Sequence, residues 1–241
     1  MQQLRVFNLP RQVAPEELSE SAVVVIDLLR ASSTICQALA AGAREVVPFL
    51  EVEEALAASV ADRANVVLGG ERGGLRIEGF DLGNSPSEYT AASVGGRRVF
   101  LTTTNGTRAL DHARQARRVI VGAFVNLSAV VKSILNEPRI DILCAGTGGA
   151  ESREDILAAG AIVEQLVSGD RTQWQLNEAA QAALETWQAR GNKLALELRF
   201  TPGGVNLLSI GMDRDLVDCA RVDSLPVVPE LNAVAWRITL P

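Results

Sequence analysis

Between residues 22 and 144 the chain repeats one pattern: four or five mostly aliphatic residues, a longer amphipathic stretch, then another aliphatic run. Runs this short and this apolar read as strands buried on both faces, not as helices. The pattern predicts strands over 22–26, 45–49, 65–68, 98–101, 118–121 and 140–144. Between them it predicts a helix ending near residue 41, before Gly42, and helices over 52–62, 106–114 and 127–135. Strand–helix alternation implies an α/β fold with mainly parallel sheets covered by helices. Beyond Gly149 the pattern turns helical, over 155–169, 173–189 and 192–197, with a short piece near Leu207. The chain closes with apolar stretches at 225–228 and 233–240, expected to form an edge strand or cap.

The two halves of the alternating region are alike. Ala43-Arg44-Glu45-Val46-Val47 corresponds to Ala116-Arg117-Arg118-Val119-Ile120, 73 residues later, and each half then runs through a helix and a strand into glycines. Two related β-α-β-α-β halves follow, although any α/β chain resembles itself at this coarse level. The expected division is an N-terminal sub-domain over 1–95 and a C-terminal sub-domain with a helical extension over 96–241.

Hydrophobic residues make up 47% of the 241 but aromatics only 4%, so the core must be built from Ala, Val, Leu and Ile. A chain of this length buries roughly 70% of its extended surface. The net charge of −6 disfavours a nucleic-acid or anionic-membrane partner. Cys36, Cys144 and Cys219 lie far apart with no CxxC spacing, the usage of reduced thiols in a cytoplasm. No signal peptide is expected, because Arg5, Arg11, Glu16 and Glu17 interrupt the opening segment, and no apolar run suits a membrane span. The stretch 233–240 suits an interface between copies as well as a core, so a homo-oligomer stays open.

Four segments carry residue types suited to binding a small anion. The first is Asp27-Leu28-Leu29-Arg30-Ala31-Ser32-Ser33-Thr34, where a strand empties into a helix. In a parallel sheet, ligands bind beyond the carboxyl ends of strands. A carboxylate at Asp27 suits Mg²⁺, which takes oxygen ligands, and the hydroxyls of Ser33 and Thr34 stand near a helix start. Those hydroxyls serve equally as ordinary caps. The second is Thr102-Thr103-Thr104-Asn105-Gly106-Thr107, a dense set of donors that reads as an anion nest or as a capped turn. No Gly-Lys-Ser/Thr accompanies it, so it is not a Walker loop. The third, Gly146-Thr147-Gly148-Gly149 followed by Glu154-Asp155, misplaces the third glycine of a dinucleotide fingerprint. The fourth, residues 69–86, packs six glycines around Glu71, Arg72, Arg76 and Asp81. Glu71 and Asp81 are expected to join Asp27 and Asp155 around a metal, with Arg30, Arg72 and Arg76 receiving anionic groups. His112, the one histidine, lies outside every segment and is expected to be structural.

Together these segments resemble the 2-phosphosulfolactate phosphatase family. The resemblance rests on Val24-Val25-Ile26-Asp27-x-Leu29-Arg30-Ala31-x-x-Thr34-Ile35, Gly70-Glu71-Arg72-Gly73-Gly74, and Gly79-Phe80-Asp81-Leu82-Gly83-Asn84-Ser85-Pro86. It continues through Thr102 to Thr107, Gly146-Thr147 and Glu154-Asp155-x-x-x-Ala159-Gly160. One departure is that Ser32 and Ser33 stand where the family commonly has threonines; both keep a hydroxyl. The resemblance implies Mg²⁺-dependent hydrolysis of 2-phosphosulfolactate, a step of coenzyme M synthesis, at a site between two sub-domains. It implies catalytic roles for Asp27, Arg30, Glu71 and Arg72. Substrate binding would fall to Ser33, Thr34, Arg76, Asn84, Ser85, Thr103, Thr104, Asn105, Gly106, Thr107, Gly146 and Thr147, and metal binding to Asp27, Glu71, Asp81 and Asp155. Attack by water and a phospho-aspartate at Asp27 are both consistent with this. So are hydrolysis of a related phosphorylated hydroxy acid and, outside catalysis, simple binding of a small anion.

Overall fold

A computed structural model describes residues 1–169 and 173–241. The strands are β1 (Gln2–Phe7), β2 (Ala22–Ile26), β3 (Glu45–Pro48), β4 (Val66–Arg72), β5 (Leu75–Arg76), β6 (Arg98–Thr102), β7 (Arg118–Val121), β8 (Arg139–Cys144), β9 (Trp174–Leu176), β10 (Glu230–Asn232) and β11 (Arg237–Thr239). The helices are α1 (Ala31–Ala40), α2 (Val52–Ser59), α3 (Ala91–Val94), α4 (Gly106–His112), α5 (Leu127–Ile134), α6 (Arg153–Val167), α7 (Glu178–Arg190), α8 (Leu194–Leu198), α9 (Pro202–Ser209) and α10 (Asp213–Cys219). The α/β architecture with a mostly parallel sheet is the one the alternation implies.

The strands follow the order β5-β4-β6-β3-β11-β10-β7-β2-β8-β1-β9. Two parallel sets, β4-β6-β3 and β7-β2-β8-β1-β9, are joined by the antiparallel β10–β11 hairpin. The stretch 233–240 therefore joins the two sets in the middle of the sheet instead of forming an edge or cap. Its β11 is only three residues long, too short to display the period of two that marks a paired strand.

The related halves are β2-α1-β3-α2-β4 and β6-α4-β7-α5-β8. Their strands exchange places: β6 lies between β4 and β3, and β2 lies between β8 and β7. The registers match as well, since Ala22 pairs with Arg118 as Arg98 pairs with Glu45. Strands from before and after residue 95 are thus interleaved. This exchange explains why β2 is apolar at every position: Val24 and Ile26 enter one hydrophobic core, Val23 and Val25 the other.

Helix ends follow local chemistry. Gly42, at φ +90°, ends α1 with Gly42 N–H bonded to the Leu39 carbonyl and Ala43 N–H to the Ala38 carbonyl, a Schellman arrangement that favours glycine. The helix expected over 173–189 begins late, because Trp174–Leu176 is a strand paired with β1. Asn177 separates the two elements. Its side-chain oxygen accepts from Ala180 N–H and Val6 N–H, capping α7 and tying it to β1. Among the described residues no helix is long and apolar enough to cross a membrane.

Helix α6 touches α7 at Gly160, where an added Cβ would stand 2.1 Å from the Ala183 carbonyl oxygen and 2.8 Å from Trp187 Cβ. Gly160→Ala is expected to force these helices apart and cost about 1–3 kcal/mol, read as a lower urea midpoint with unchanged slope.

Candidate active site

The strand ends of both sets meet at one cavity of about 300 Å³. Asp27, Leu29 and Arg30 come from the end of β2, Glu71, Gly73 and Gly74 from the end of β4, Thr104 and Asn105 from beyond β6, and Thr147 and Gly148 from beyond β8. The exchange of β2 and β6 between halves puts strand ends from both halves into each set, so neither half makes the site alone. The wall opposite comes from α9, through Gly203, Asn206 and Leu207.

Asp27 is held in place by its own turn. Its N–H donates to Ser32 Oγ at 2.9 Å, Ser32 N–H returns a bond to the Asp27 carbonyl at 2.9 Å, and Gly106 lies against the carboxylate. An added Cβ at Gly106 would sit 2.7 Å from Asp27 Oδ2 and 2.6 Å from Ala31 Cβ, so only glycine allows this approach. Burial, and then the nearby Glu71 and Glu154 carboxylates, push the Asp27 carboxyl up to about 7. Glu71 is buried and its oxygens are engaged: Oε1 accepts from Thr104 N–H (2.8 Å) and Thr104 Oγ1 (2.9 Å), and Oε2 from Gly74 N–H (2.7 Å). It links the glycine-rich turn to the threonine loop. Arg30 is 3% exposed, with Nη1 donating to Asp215 Oδ2 (2.5 Å) and Nη2 to the Gly74 carbonyl (2.6 Å).

Asp155 stands behind the cavity. Its Oδ1 accepts from Leu28 N–H (2.8 Å) and Oδ2 from Gly146 N–H (3.0 Å), which fixes the ends of β2 and β8 relative to each other. Burial, with Asp27 and Glu154 nearby, pushes its carboxyl well above the ordinary value. Gly146 adopts φ +71° there, and a Cβ would meet Leu9 and the Ala150 carbonyl. Asn84 lines the cavity with a buried Oδ1 that has no partner, and Ser85 next to it donates to Asp215.

Several expected residues are used elsewhere. Ser33 Oγ donates to the Leu28 carbonyl and Thr34 Oγ1 to the Asn84 carbonyl, so both hydroxyls serve the backbone. Thr103 and Thr107 bond each other across the first turn of α4. Arg72 turns away from the cavity to the Glu71 and Leu50 carbonyls and Thr102 Oγ1. Arg76 reaches the Asp81 carbonyl. Asp81 itself is not brought to Asp27: it pairs with Arg63 at 2.6 Å and accepts from Leu68 N–H at 2.8 Å. Asp81→Asn is therefore expected to leave kcat and KM near wild type and to lower stability by less than about 1 kcal/mol, which steady-state kinetics and a thermal melt would show. His112 Nε2 bonds the Val13 carbonyl, a structural role.

Sequence reasoning named Glu154 only as a helix-start acid and a motif residue, and expected a short helix near Leu207 without placing either at the cavity. Glu154 is 1% exposed; Oε1 accepts from Gly203 N–H at 3.0 Å and Oε2 is buried without a partner. The signal was Thr201-Pro202-Gly203-Gly204: a threonine cap on Gly204 N–H, proline in the first turn, and glycines that allow close approach. A Cβ on Gly203 would stand 2.1 Å from Glu154 Oε1, and one on Gly204 1.7 Å from the Leu198 carbonyl oxygen.

A buried guanidinium facing carboxylates and a set of hydroxyl and amide groups can bind and orient a small phosphorylated acid. Comparison with known proteins agrees. The family profile described as 2-phosphosulpholactate phosphatase matches residues 7–233. A protein of Caldanaerobacter subterraneus subsp. tengcongensis named probable 2-phosphosulfolactate phosphatase is 40% identical over 231 residues, 95% of each chain. One of Symbiobacterium thermophilum with the same name is 43% identical over 227 residues, 93% of this chain and 95% of its own. A third, from Synechococcus sp. (strain RCC307), is 42% identical over 233 residues, 94% of this chain and 95% of its own. The chain belongs to the 2-phosphosulfolactate phosphatase family, a family of phosphoric monoester hydrolases.

Proposed function

We propose that this chain hydrolyses 2-phosphosulfolactate to sulfolactate and inorganic phosphate, the reaction for which its relatives are named, as a step of coenzyme M synthesis. The observation that carries this reading is the meeting, in one small cavity, of the buried Arg30 guanidinium with Asp27, Glu71, Thr104, Asn105 and Thr147. The substrate carries a phosphate, a sulfonate and a carboxylate, so it needs donors on several sides. Arg30 gives charge-assisted N–H bonds to phosphoryl oxygens, and Asn105 and Thr147 bring side-chain amide and hydroxyl donors.

The residues present fit a divalent cation of the Mg²⁺ kind. Asp27 and Glu71 bring carboxylate charge to the cavity, Asn84 Oδ1 lacks a partner there, and Glu154 Oε2 lacks one beside it. Asp27 would hold the ion, with Glu154 and Asn84 supplying further oxygens. No group of three or more His, Cys, Asp or Glu among the described residues is arranged to hold a metal alone, so waters and substrate oxygens would have to complete the shell, as Mg²⁺ commonly prefers. When bound, such an ion neutralises phosphate charge and makes a coordinated water more acidic. Asp27 takes the proton of the attacking water as the new P–O bond forms, and returns it to the sulfolactate oxygen released when the ester P–O bond breaks. Glu71 holds Thr104 and the Gly74 turn in position, and α9 limits access of bulk water from its side.

A substrate panel tests the reading. Phosphate release from 2-phosphosulfolactate is expected to exceed that from 2-phospholactate by about 10²-fold in kcat/KM, because the latter leaves sulfonate-binding donors unpaired. Equal values would assign the site to phosphorylated hydroxy acids in general.

A further inference from the structure

Helix α10 contributes nothing to the cavity wall, yet it sends one buried carboxylate to the residue at the cavity's centre of positive charge. Asp215 is 2% exposed. Its Oδ2 accepts from Arg30 Nη1 at 2.5 Å, across 185 residues of sequence, and its Oδ1 accepts from Ser85 Oγ. Both side chains of the ion pair are almost fully buried, at 2% and 3% exposure. The Gly74 carbonyl holds Arg30 Nη2.

A guanidinium has five N–H donors in a rigid plane. Two fixed contacts on different nitrogens, Asp215 on one and Gly74 on the other, set both the position and the tilt of that plane. The remaining donors belong to a group that lines the cavity. We propose that Asp215 is a positioning residue of the phosphate site, holding Arg30 so that its unspent N–H groups face the phosphoryl oxygens. The proposal rests on the phosphatase reading above. Ser85 adds a second anchor, because it follows Asn84 of the cavity and bonds Ser87 of the next turn at 3.1 Å. The carboxylate is thereby fixed from two sides before it orients the arginine. The arrangement also joins the C-terminal helices to the strand-end loops.

The test compares wild type with Asp215→Asn and Asp215→Glu by calorimetric binding of inorganic phosphate, by kcat and KM on 2-phosphosulfolactate, and by thermal melts. Asp215→Glu keeps the charge and moves it by one methylene, so it serves if Asp215→Asn does not fold. Arg214→Ala, an exposed residue of α10 that pairs with Asp218, is the control and is expected to behave as wild type. Positioning predicts roughly tenfold weaker phosphate binding and about 10²-fold lower kcat/KM in a folded Asp215→Glu protein. Wild-type phosphate affinity and kcat/KM in Asp215→Glu, with only the melt lowered, would overturn the proposal and leave the phosphatase reading standing. A wild-type protein that neither binds phosphate nor releases it would overturn both.

Discussion

Replacing Asp27 by asparagine is expected to lower phosphate release by about 10³-fold, the scale of a lost proton acceptor, and to stabilise the fold above pH 7. The two effects share one cause. The Asp27 carboxyl is buried against Glu71 and Glu154, which raises it to about 7. A group whose folded-state value is raised stabilises the fold fully below its unfolded value, near 4 for an aspartate. That contribution is lost as pH rises through the folded value. Between about pH 4 and pH 8 the metal-free wild type should therefore lose roughly 2–4 kcal/mol that the asparagine variant keeps. Thermal melts in EDTA across this range should show the variant's advantage growing with pH. Parallel pH profiles for the two proteins would remove Asp27 as the source of the cost. The conflict between a buried ionised carboxylate and stability is what a site built for chemistry tolerates.

Asp155→Ala should act on the fold first and on activity through it. Each Asp155 oxygen takes one buried backbone N–H, from Leu28 and from Gly146. Truncation leaves both donors unpaired, and a buried unpaired N–H costs about 1–3 kcal/mol. Relief of the buried carboxyl offsets part of this, so a net loss of about 3 kcal/mol is expected, or roughly 10 °C in Tm for a chain of this size. Because these two N–H groups lock the ends of β2 and β8 together, hydrolysis should also fall at temperatures where the protein remains folded. A melt within 2 °C of wild type, an about negligible shift on that scale, would show that water replaces the carboxylate.

Much of this site was legible because its loops follow strands. Aliphatic runs mark strands buried on both faces, their carboxyl ends mark a crevice, and Asp27, Arg30, Glu71, Thr104, Asn105 and Thr147 all sit at such ends. What the sequence hides is the direction of each side chain. Glu71 and Arg72 are successive residues of β4, so when one faces the cavity the other faces away, and Arg72 accordingly turns toward Leu50. Asp81 lies within the motif-rich loop but is spent on Arg63 and the Leu68 amide. Nor does spacing reveal that β2 and β6 trade places, since a parallel sheet accepts either order of its strands. Asp215 was invisible for a further reason. It belongs to the seven-residue helix α10, which packs on α8 and α9, and only the folded chain brings it to Arg30.

The metal-assisted hydrolysis proposed for this cavity, with Asp27 at its chemical centre, can be tested directly. The direct test is phosphate release from racemic 2-phosphosulfolactate by the purified protein in Mg²⁺, then in EDTA, with Asp27→Asn alongside. The expected result is release in Mg²⁺, loss in EDTA with recovery on adding Mg²⁺ back, and negligible release by the variant. Undiminished release in EDTA, or by the folded Asp27→Asn protein, would contradict it.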